Sequence, residues 1–462
     1  MISDTIAAIA TPPGEGGVGI IRVSGPEAVA LAERHFRSFD LLKLSAQAPR
    51  LLQFGHWVDS QGKVLDEVLC VHFKAPQSFT GEDVVEVHAH GGAFHLQAML
   101  KTVLGAGARL ARPGEFTQRA FLNGKMDLTR AEAVADLINS GTELARDAAA
   151  RQLTGGLFEV VENLRQQAVD LSAQVEAAVD FPEEESQLLP KAGLLLKVSA
   201  LRQQMQGLLA TAREGRMVTQ GVRVAIAGRP NTGKSSLMNA MLGQERSIVT
   251  AIAGTTRDYI EEKLSIQGFP VLLTDTAGLR DSGDLVEQEG VRRSRERVAS
   301  ADLLMLVLDV SQDLSGADFD LLELYRGDLL IVANKSDLDP RWDVTHLKKF
   351  VADAQQRIAS VSAKTGHGVD ALKARILDLA LRGKAASLLD SVVLTQAPHE
   401  EAMRRAEELA GHVEATLKEG KLSAEFLAGD LRGVLDALGE IVGLSSREDV
   451  IHAIFAKFCI GK

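Results

Sequence analysis

The stretch GRPNTGKS, Gly228 to Ser235, constrains this chain more than any other. It follows the apolar run Val222 to Ala227 and leads into the helical SLMNAML, so a buried strand, a glycine-rich loop and a helix succeed one another. Gly228 and Gly233 let the backbone curl until successive N–H groups point at one anion, at the positive end of the helix that follows. In that arrangement Lys234 reaches the β- and γ-phosphates of a nucleotide and the Ser235 hydroxyl ligates magnesium. A glycine-rich turn that binds nothing is the competing reading, and the rest of the region argues against it.

From Val222 to about Arg382 the runs VRVAIAG, FPVLLTDT, LLMLVLDV, DLLIVANK and RIASVSA alternate with helical segments. That is the pattern of a doubly wound parallel sheet covered on both faces. Three strand ends carry further chemistry. DTAG (Asp275, Thr276, Ala277, Gly278) puts Asp275 near the magnesium through water and the Gly278 N–H near the γ-phosphate. NKSD, with Asn334, Lys335 and Asp337, offers a carboxylate to the guanine N1 and N2 donors, a pair that adenine lacks; such a site discriminates by factors on the order of 10⁴. SAK (Ser362, Ala363, Lys364) can read O6 with its backbone. The four elements in this order point to GTP, held by Asn231, Thr232, Gly233, Lys234, Ser235 and Ser236 and by the loop Thr250, Ala251, Ile252, Ala253, Gly254, Thr255 and Thr256. Thr256 is the expected second hydroxyl ligand of Mg²⁺. Residues 222 to 382 resemble the translation-factor-related class of P-loop GTPases. Where Ras-like members carry a glutamine after DxxG stands Leu279, which cannot orient water. Asn231 lies where an arginine finger would act, and its amide oxygen can help hold a monovalent cation.

A length of 462 residues exceeds what one hydrophobic core supports. Residues 1–122 alternate β-branched runs (Val18 to Val23, Val68 to Phe73, Val84 to His88) with Gly/Pro punctuation and one helical stretch near Pro26 to Arg37, the mark of a small α/β domain. Residues 123–217 turn helical: Thr129 and Glu132 fit a capping box, and apolar residues recur at helical spacing through segments ending near Ser140, Leu153 and Val179. After the break at Phe181-Pro182 another amphipathic stretch runs from about Lys191 to Glu214. The nucleotide region occupies 218–383. Helices return in 384–462, with Ser423 and Ser446 as N-caps. The expected fold is multidomain α/β plus α, a helical bundle with a GTPase domain inserted into it. No run is long and apolar enough for a membrane span and no signal segment opens the chain, so a cytoplasmic, membrane-free protein is expected. The formal charge of −11 opposes general attraction to nucleic acid, so an RNA partner needs a local basic patch. The segment Arg109 to Arg130, with Arg112, Arg119 and Lys125, is the candidate, with a solvated face as its bland alternative. Cys70 and Cys459 are too far apart in sequence to suggest a disulfide framework.

The flanks narrow the family. TIAAIATPPGEGGVGIIRVSG, SFTGEDVVEVHAHGG, ARPGEFTQRAFLNGKMDLTRAEAVADLI and the terminal FCIGK resemble the bacterial MnmE (TrmE) family of tRNA-modification GTPases over the full length. The resemblance implies an N-terminal dimerisation domain that binds 5-formyl- or 5,10-methylene-tetrahydrofolate through Arg22, Glu86, Lys125 and Lys462. It implies K⁺ held by Asn231, Thr250, Ile252 and Thr255, and a water-orienting Glu287 beside Lys234 and Asn231 in catalysis. It also implies a homodimer working with an FAD-dependent partner, MnmG (GidA), on C5 of the wobble uridine of certain tRNAs. The alternative is a GTP-dependent ribosome-assembly or RNA-binding switch. Cys459 is open between a nucleophile and a small buried hydrophobe. His88 and His90 share one face of a strand, and a metal site with His72 or His95 competes there with ordinary hydrogen bonding.

Overall fold

The computed structural model describes residues 4–180, 191–243, 261–275, 301–316, 318–319, 327–347, 351, 357–383, 392–419, 424–445, 448–456 and 458–462. The chain forms two compact units, one of residues 1–135, 158–169 and 432–462, the other of residues 136–157 and 170–431.

The first unit opens with β1 (Ile6–Ile9), β2 (Gly16–Ser24), α1 (Ala28–His35), β3 (Phe36–Ser38), β4 (Gln53–Val58), β5 (Val64–Phe73), β6 (Val84–Gly91), α2 (Ala93–Gly105), β7 (Arg109–Leu110) and α3 (Glu115–Leu122). Its seven strands lie in the order β3-β4-β5-β6-β2-β1-β7. Strand alternation decides what each face holds. Ile21, Val23, Val85 and Val87 are fully buried in a core with Leu31, Trp57 and Met99. The residues between them, Arg22 and Glu86, sit opposite one another in the β2–β6 register on the other face. There Phe116 of α3 covers Ile6 and Ala8. The sequence reading expected one helix in this region; α2 and α3 are two more. In α2, Leu96, Met99, Leu100 and Val103 repeat at helical spacing and are buried, a period hidden among strand-rich neighbours.

Among the described residues five helices follow: α4 (Leu128–Asn139), α5 (Glu143–Leu153), α6 (Gly156–Asp180), α7 (Lys191–Leu209) and α8 (Ala212–Thr219). Asp127 rather than Thr129 caps α4: its Oδ1 accepts from the Arg130 N–H at 3.1 Å and from the Thr129 hydroxyl at 2.5 Å. A carboxylate outcompetes a hydroxyl as acceptor for an orphan N–H, which moves the cap two residues upstream. Residues 181–190 lie outside the described residues.

In the second unit come β8 (Val222–Ala227), α9 (Lys234–Leu242), β9 (Glu261–Ile266), β10 (Phe269–Asp275), β11 (Leu303–Asp309), β12 (Asp328–Asn334), β13 (Ile358–Val361) and α10 (Val369–Leu381). The sheet order is β13-β12-β11-β8-β10-β9. Every expected strand is present and parallel to its neighbours; β9, which the sequence reading did not identify, adds an antiparallel edge. All seven residues of β11 are buried, as a strand with packed layers on both faces requires. One layer is the core of Leu237, Met241, Leu372 and Ile376, which Ala148 of α5 and Met217 of α8 join; the other gathers Leu306, Ile331 and Trp342.

The closing helices are α11 (Ala397–Glu419), α12 (Ala424–Val442) and α13 (Glu448–Phe455). The proposed caps Ser423 and Ser446 lie outside the described residues. Helix α7, before the sheet, and α11, after it, are cross-linked by Arg202 to Glu407 and Glu414 at 2.8 and 2.9 Å and by Ser199 to Glu414 at 2.9 Å. No helix among the described residues is long and apolar enough to cross a membrane.

Candidate functional site

The strand order reverses at β8, so the loop leaving its carboxyl end enters the crevice where doubly wound sheets receive ligands. Gly228 has φ +146°, and a Cβ there would fall 2.4 Å from the Val307 carbonyl oxygen. Gly233 has φ +92°, and its Cβ would meet the Asn334 side-chain nitrogen at 2.4 Å. Both positions therefore exclude side chains. Lys234 Nζ donates to the carbonyls of Gly228 and Arg229 at 2.9 and 2.8 Å, which arches the chain over its own loop. Ser235 and Ser236 are exposed at the first turn of α9, and Thr232 is buried, its hydroxyl donating to Arg229 O at 3.0 Å. Asn231 is exposed and left-handed, φ 65°.

The NKSD and SAK elements converge on this loop. Asn334, 1% exposed, donates to Thr232 O at 2.8 Å and accepts from Ala363 N at 3.1 Å, stitching the ends of β8, β12 and β13 together. Lys335 donates to Asn231 O at 3.0 Å and to Asp309 Oδ2 at 2.6 Å. Ser362 Oγ donates to Asp337 Oδ1 at 2.6 Å, and this bond holds the exposed Asp337 carboxyl below its ordinary range. Lys364 is exposed beside it. The backbone of Asp275 ends β10 next to Ile226 of β8. Thr250, Ala251, Ile252, Ala253, Gly254, Thr255, Thr256, Thr276, Ala277, Gly278, Leu279 and Glu287 lie outside the described residues. Sequence reasoning missed Asp309, Asp318 and Arg229; the signal was an acid closing the otherwise apolar LLMLVLD.

In the first unit Arg22 pairs with Glu86, Nε to Oε1 at 2.8 Å, and its guanidinium carbon lies 5.4 Å from the Phe79 ring centre and 5.6 Å from that of Phe116. The His88 and Arg22 bonds hold the Glu86 carboxyl below its ordinary value against the opposing effect of burial. Lys125 Nζ donates to Pro76 O at 2.9 Å, on the loop that carries Phe79. The carboxyl-terminal tail is pinned to the same unit: Gly461, φ +97°, presses on the Ile9 backbone, Phe116 N donates to Lys462 O at 3.2 Å, and Gly114 N donates to Cys459 O at 3.3 Å.

Three side readings change. Arg119 is completely buried, its guanidinium bonded to Asp4, Glu82 and Glu115, so it is a structural cation and not part of a basic patch. Cys459 is exposed, which removes the buried-hydrophobe reading, and Cys70 is buried, its thiol pushed up by burial; neither forms a disulfide. His90 and His95 bond the two oxygens of Asp66 at 2.7 and 3.0 Å, His72 bonds Asp83 and His88 bonds Glu86. Among the described residues no group of three or more His, Cys, Asp or Glu is placed to hold a metal ion.

Residues 5–125 match the family model described as "GTP-binding protein TrmE N-terminus", and residues 128–459 match that of the "MnmE helical domain". The second span encloses the nucleotide-binding sheet. A tRNA modification GTPase MnmE of Aquifex aeolicus (strain VF5) is 44% identical across 99% of this chain and 100% of its own length. The chain belongs to the MnmE family of tRNA-modification GTPases. A second MnmE, from Syntrophotalea carbinolica, is 45% identical over 99% of both chains. The G domain of the T. maritima FeoB iron transporter aligns with 34% of this chain and 98% of its own, at 27% identity and a TM-score of 0.27. Like the family, the chain is a GTP hydrolase of tRNA modification, which replaces the ribosome-assembly alternative.

Proposed function

We propose that this MnmE-family chain is a potassium-activated GTPase. It works in the cytoplasm as a homodimer with an FAD-dependent partner of the MnmG (GidA) type and adds a carboxymethylaminomethyl-type group at C5 of the wobble uridine, U34, of certain tRNAs. The observation that carries the potassium reading is Asn231. A non-glycine residue is held left-handed inside the phosphate loop by Lys335 on its carbonyl, which leaves its amide side chain at the exposed mouth.

Within that reading each side chain has a defined task. Lys234 can exchange the carbonyls of Gly228 and Arg229 for phosphate oxygens when GTP enters. Asp337 and the backbone around Ala363 select guanine. Ser235, exposed at the helix start, and Thr256 would hold Mg²⁺; Asn231, Thr250, Ile252 and Thr255 would hold K⁺. When bound, the two cations would supply positive charge around the γ-phosphoryl group as it passes to water and GDP departs, the contribution of an arginine finger elsewhere. Glu287 would orient the attacking water in place of the residue at Leu279. On the N-terminal sheet the charged Arg22–Glu86 pair, its guanidinium beside two phenyl rings, suits with Lys125 and the terminal Lys462 an anionic tetrahydrofolate, which supplies a one-carbon unit when bound.

The reading is tested by incubating the protein with its FAD-dependent partner, tetrahydrofolate, GTP and unmodified tRNA, and weighing the U34 nucleoside by mass spectrometry. Modification should require GTP and fall sharply when sodium replaces potassium. Modification that proceeds equally without GTP would overturn it.

A further inference from the structure

The end of β11 and the residues that follow it carry two buried carboxylates that neither guanine recognition nor cation binding uses. Asp309, 1% exposed, accepts from Lys335 Nζ at 2.6 Å and, through its other oxygen, from the Ser311 N–H and hydroxyl at 2.9 and 2.7 Å. The same Lys335 ammonium donates to Asn231 O. Beyond it, Asp318, helical and completely buried, accepts from Arg229 Nε at 2.9 Å, while its second oxygen accepts from Ser315 N and Oγ at 2.9 and 3.2 Å. Arg229 also donates to Asp313 O at 3.1 Å. Both ends of the stretch Arg229–Asn231 are thus tied, through separate ion pairs, to the end of β11 and the residues that follow it. Each carboxylate is locked by serine hydrogen bonds before it meets its cation, so the ties are pre-organised rather than loose surface pairs. A left-handed asparagine between two such anchors is a conformation imposed from outside the phosphate loop.

We propose that Asp309 and Asp318 are positioning residues for GTP binding and hydrolysis. Asp309 acts through Lys335 and Asp318 through Arg229; together they fix the Arg229–Asn231 backbone and so the placement of the Asn231 amide. The second part rests on the potassium reading above, and the experiment keeps the two apart.

Full-length Asp309→Asn and Asp318→Asn variants, near-isosteric and lacking only the charge, are compared with the parent. Release of a fluorescent GDP is followed by stopped flow, and GTP turnover is titrated with potassium at constant ionic strength. Each variant should release GDP about tenfold faster and need about tenfold more potassium for half-maximal turnover, the loss expected of one charge-assisted hydrogen bond. Turnover at saturating potassium should return to within about threefold of the parent, since the catalytic groups are intact. A merely structural role would lower the maximal rate and the melting temperature without moving the half-activating potassium. Should one variant fail to fold, Arg229→Gln removes the Asp318 tie from its exposed end. Unchanged GDP release together with an unchanged potassium titration in the folded variants would overturn the proposal. If the parent turns over equally in potassium and sodium, the potassium reading falls, and GDP release alone decides whether the two acids hold the loop.

Discussion

The phosphate loop and the Arg22 face of the N-terminal sheet both set charge over an apolar core, but they use different parts of the chain. In the loop the backbone forms the site: glycines that admit no Cβ, carbonyls that hold Lys234, and an asparagine that ties three strand ends together. On the sheet, side chains neutralise one another, Arg22 with Glu86 across two strands, and Arg119 with Asp4, Glu82 and Glu115. A backbone site needs particular residues at fixed spacing and so leaves a local motif. A side-chain site needs only that register bring partners together, and its members are scattered through the sequence.

If the comparison is right, damage to one site should leave the other working. The largest effect is expected from Asp337→Asn, which should weaken GTP binding by a factor on the order of 10⁴. Calorimetric titration of tetrahydrofolate should be unchanged in that variant; a parallel loss of both ligands would break the separation. Arg119→Met comes next. It removes a completely buried cation from three carboxylates, Asp4, Glu82 and Glu115, of which Glu115 keeps Arg109, and should destabilise the N-terminal unit by about 3–5 kcal/mol, read as an early calorimetric transition with GDP affinity retained.

A smaller change is expected of Gly233→Ala. A positive φ and the approach to Asn334 should weaken GDP binding by roughly 10- to 100-fold, about 1–3 kcal/mol of backbone strain. Glu86→Gln should lower affinity for tetrahydrofolate by about tenfold and leave GTP turnover alone; altered turnover would blur the distinction. The last effect is acid-dependent. Burial opposes ionisation of Glu115, but Arg109, the Arg112 N–H and Arg119 hold its carboxyl down at about 2, below the 4.5 of the unfolded chain. Its stabilisation is therefore complete above pH 4.5 and lost as pH falls toward 2. Melts between pH 6 and 3 should show the N-terminal unit weakening in that window, and a melting temperature indifferent to pH there would contradict it.

What the sequence could reveal follows the same division. The five parallel strands and the phosphate loop were legible because short apolar runs alternating with helical segments carry the pattern of a covered parallel sheet, and the loop's residues stand at fixed spacing after one of those runs. Strand β9, EEKLSI, was not, because a charged, antiparallel edge strand lacks that signature. Arg22, Glu86, Lys125 and Lys462 looked like surface charges, and only family resemblance selected them; their spacing carries no periodicity. Arg119 misled for a related reason. An arginine among basic neighbours reads as exposed, and the acids that bury it come from residues 4, 82 and 115. Asp309 was visible as an acid ending an apolar strand, but its partner Lys335 meets it only through the β11–β12 pairing.

The measurement that bears most directly on the account is GTP turnover by the full chain in potassium and in sodium at equal ionic strength, beside Asn231→Ala. A rate at least tenfold higher in potassium, lost in the variant, is the predicted result, about 1.4 kcal/mol or more of transition-state stabilisation from the cation. Equal rates in the two salts, or a potassium response that survives Asn231→Ala, would contradict it.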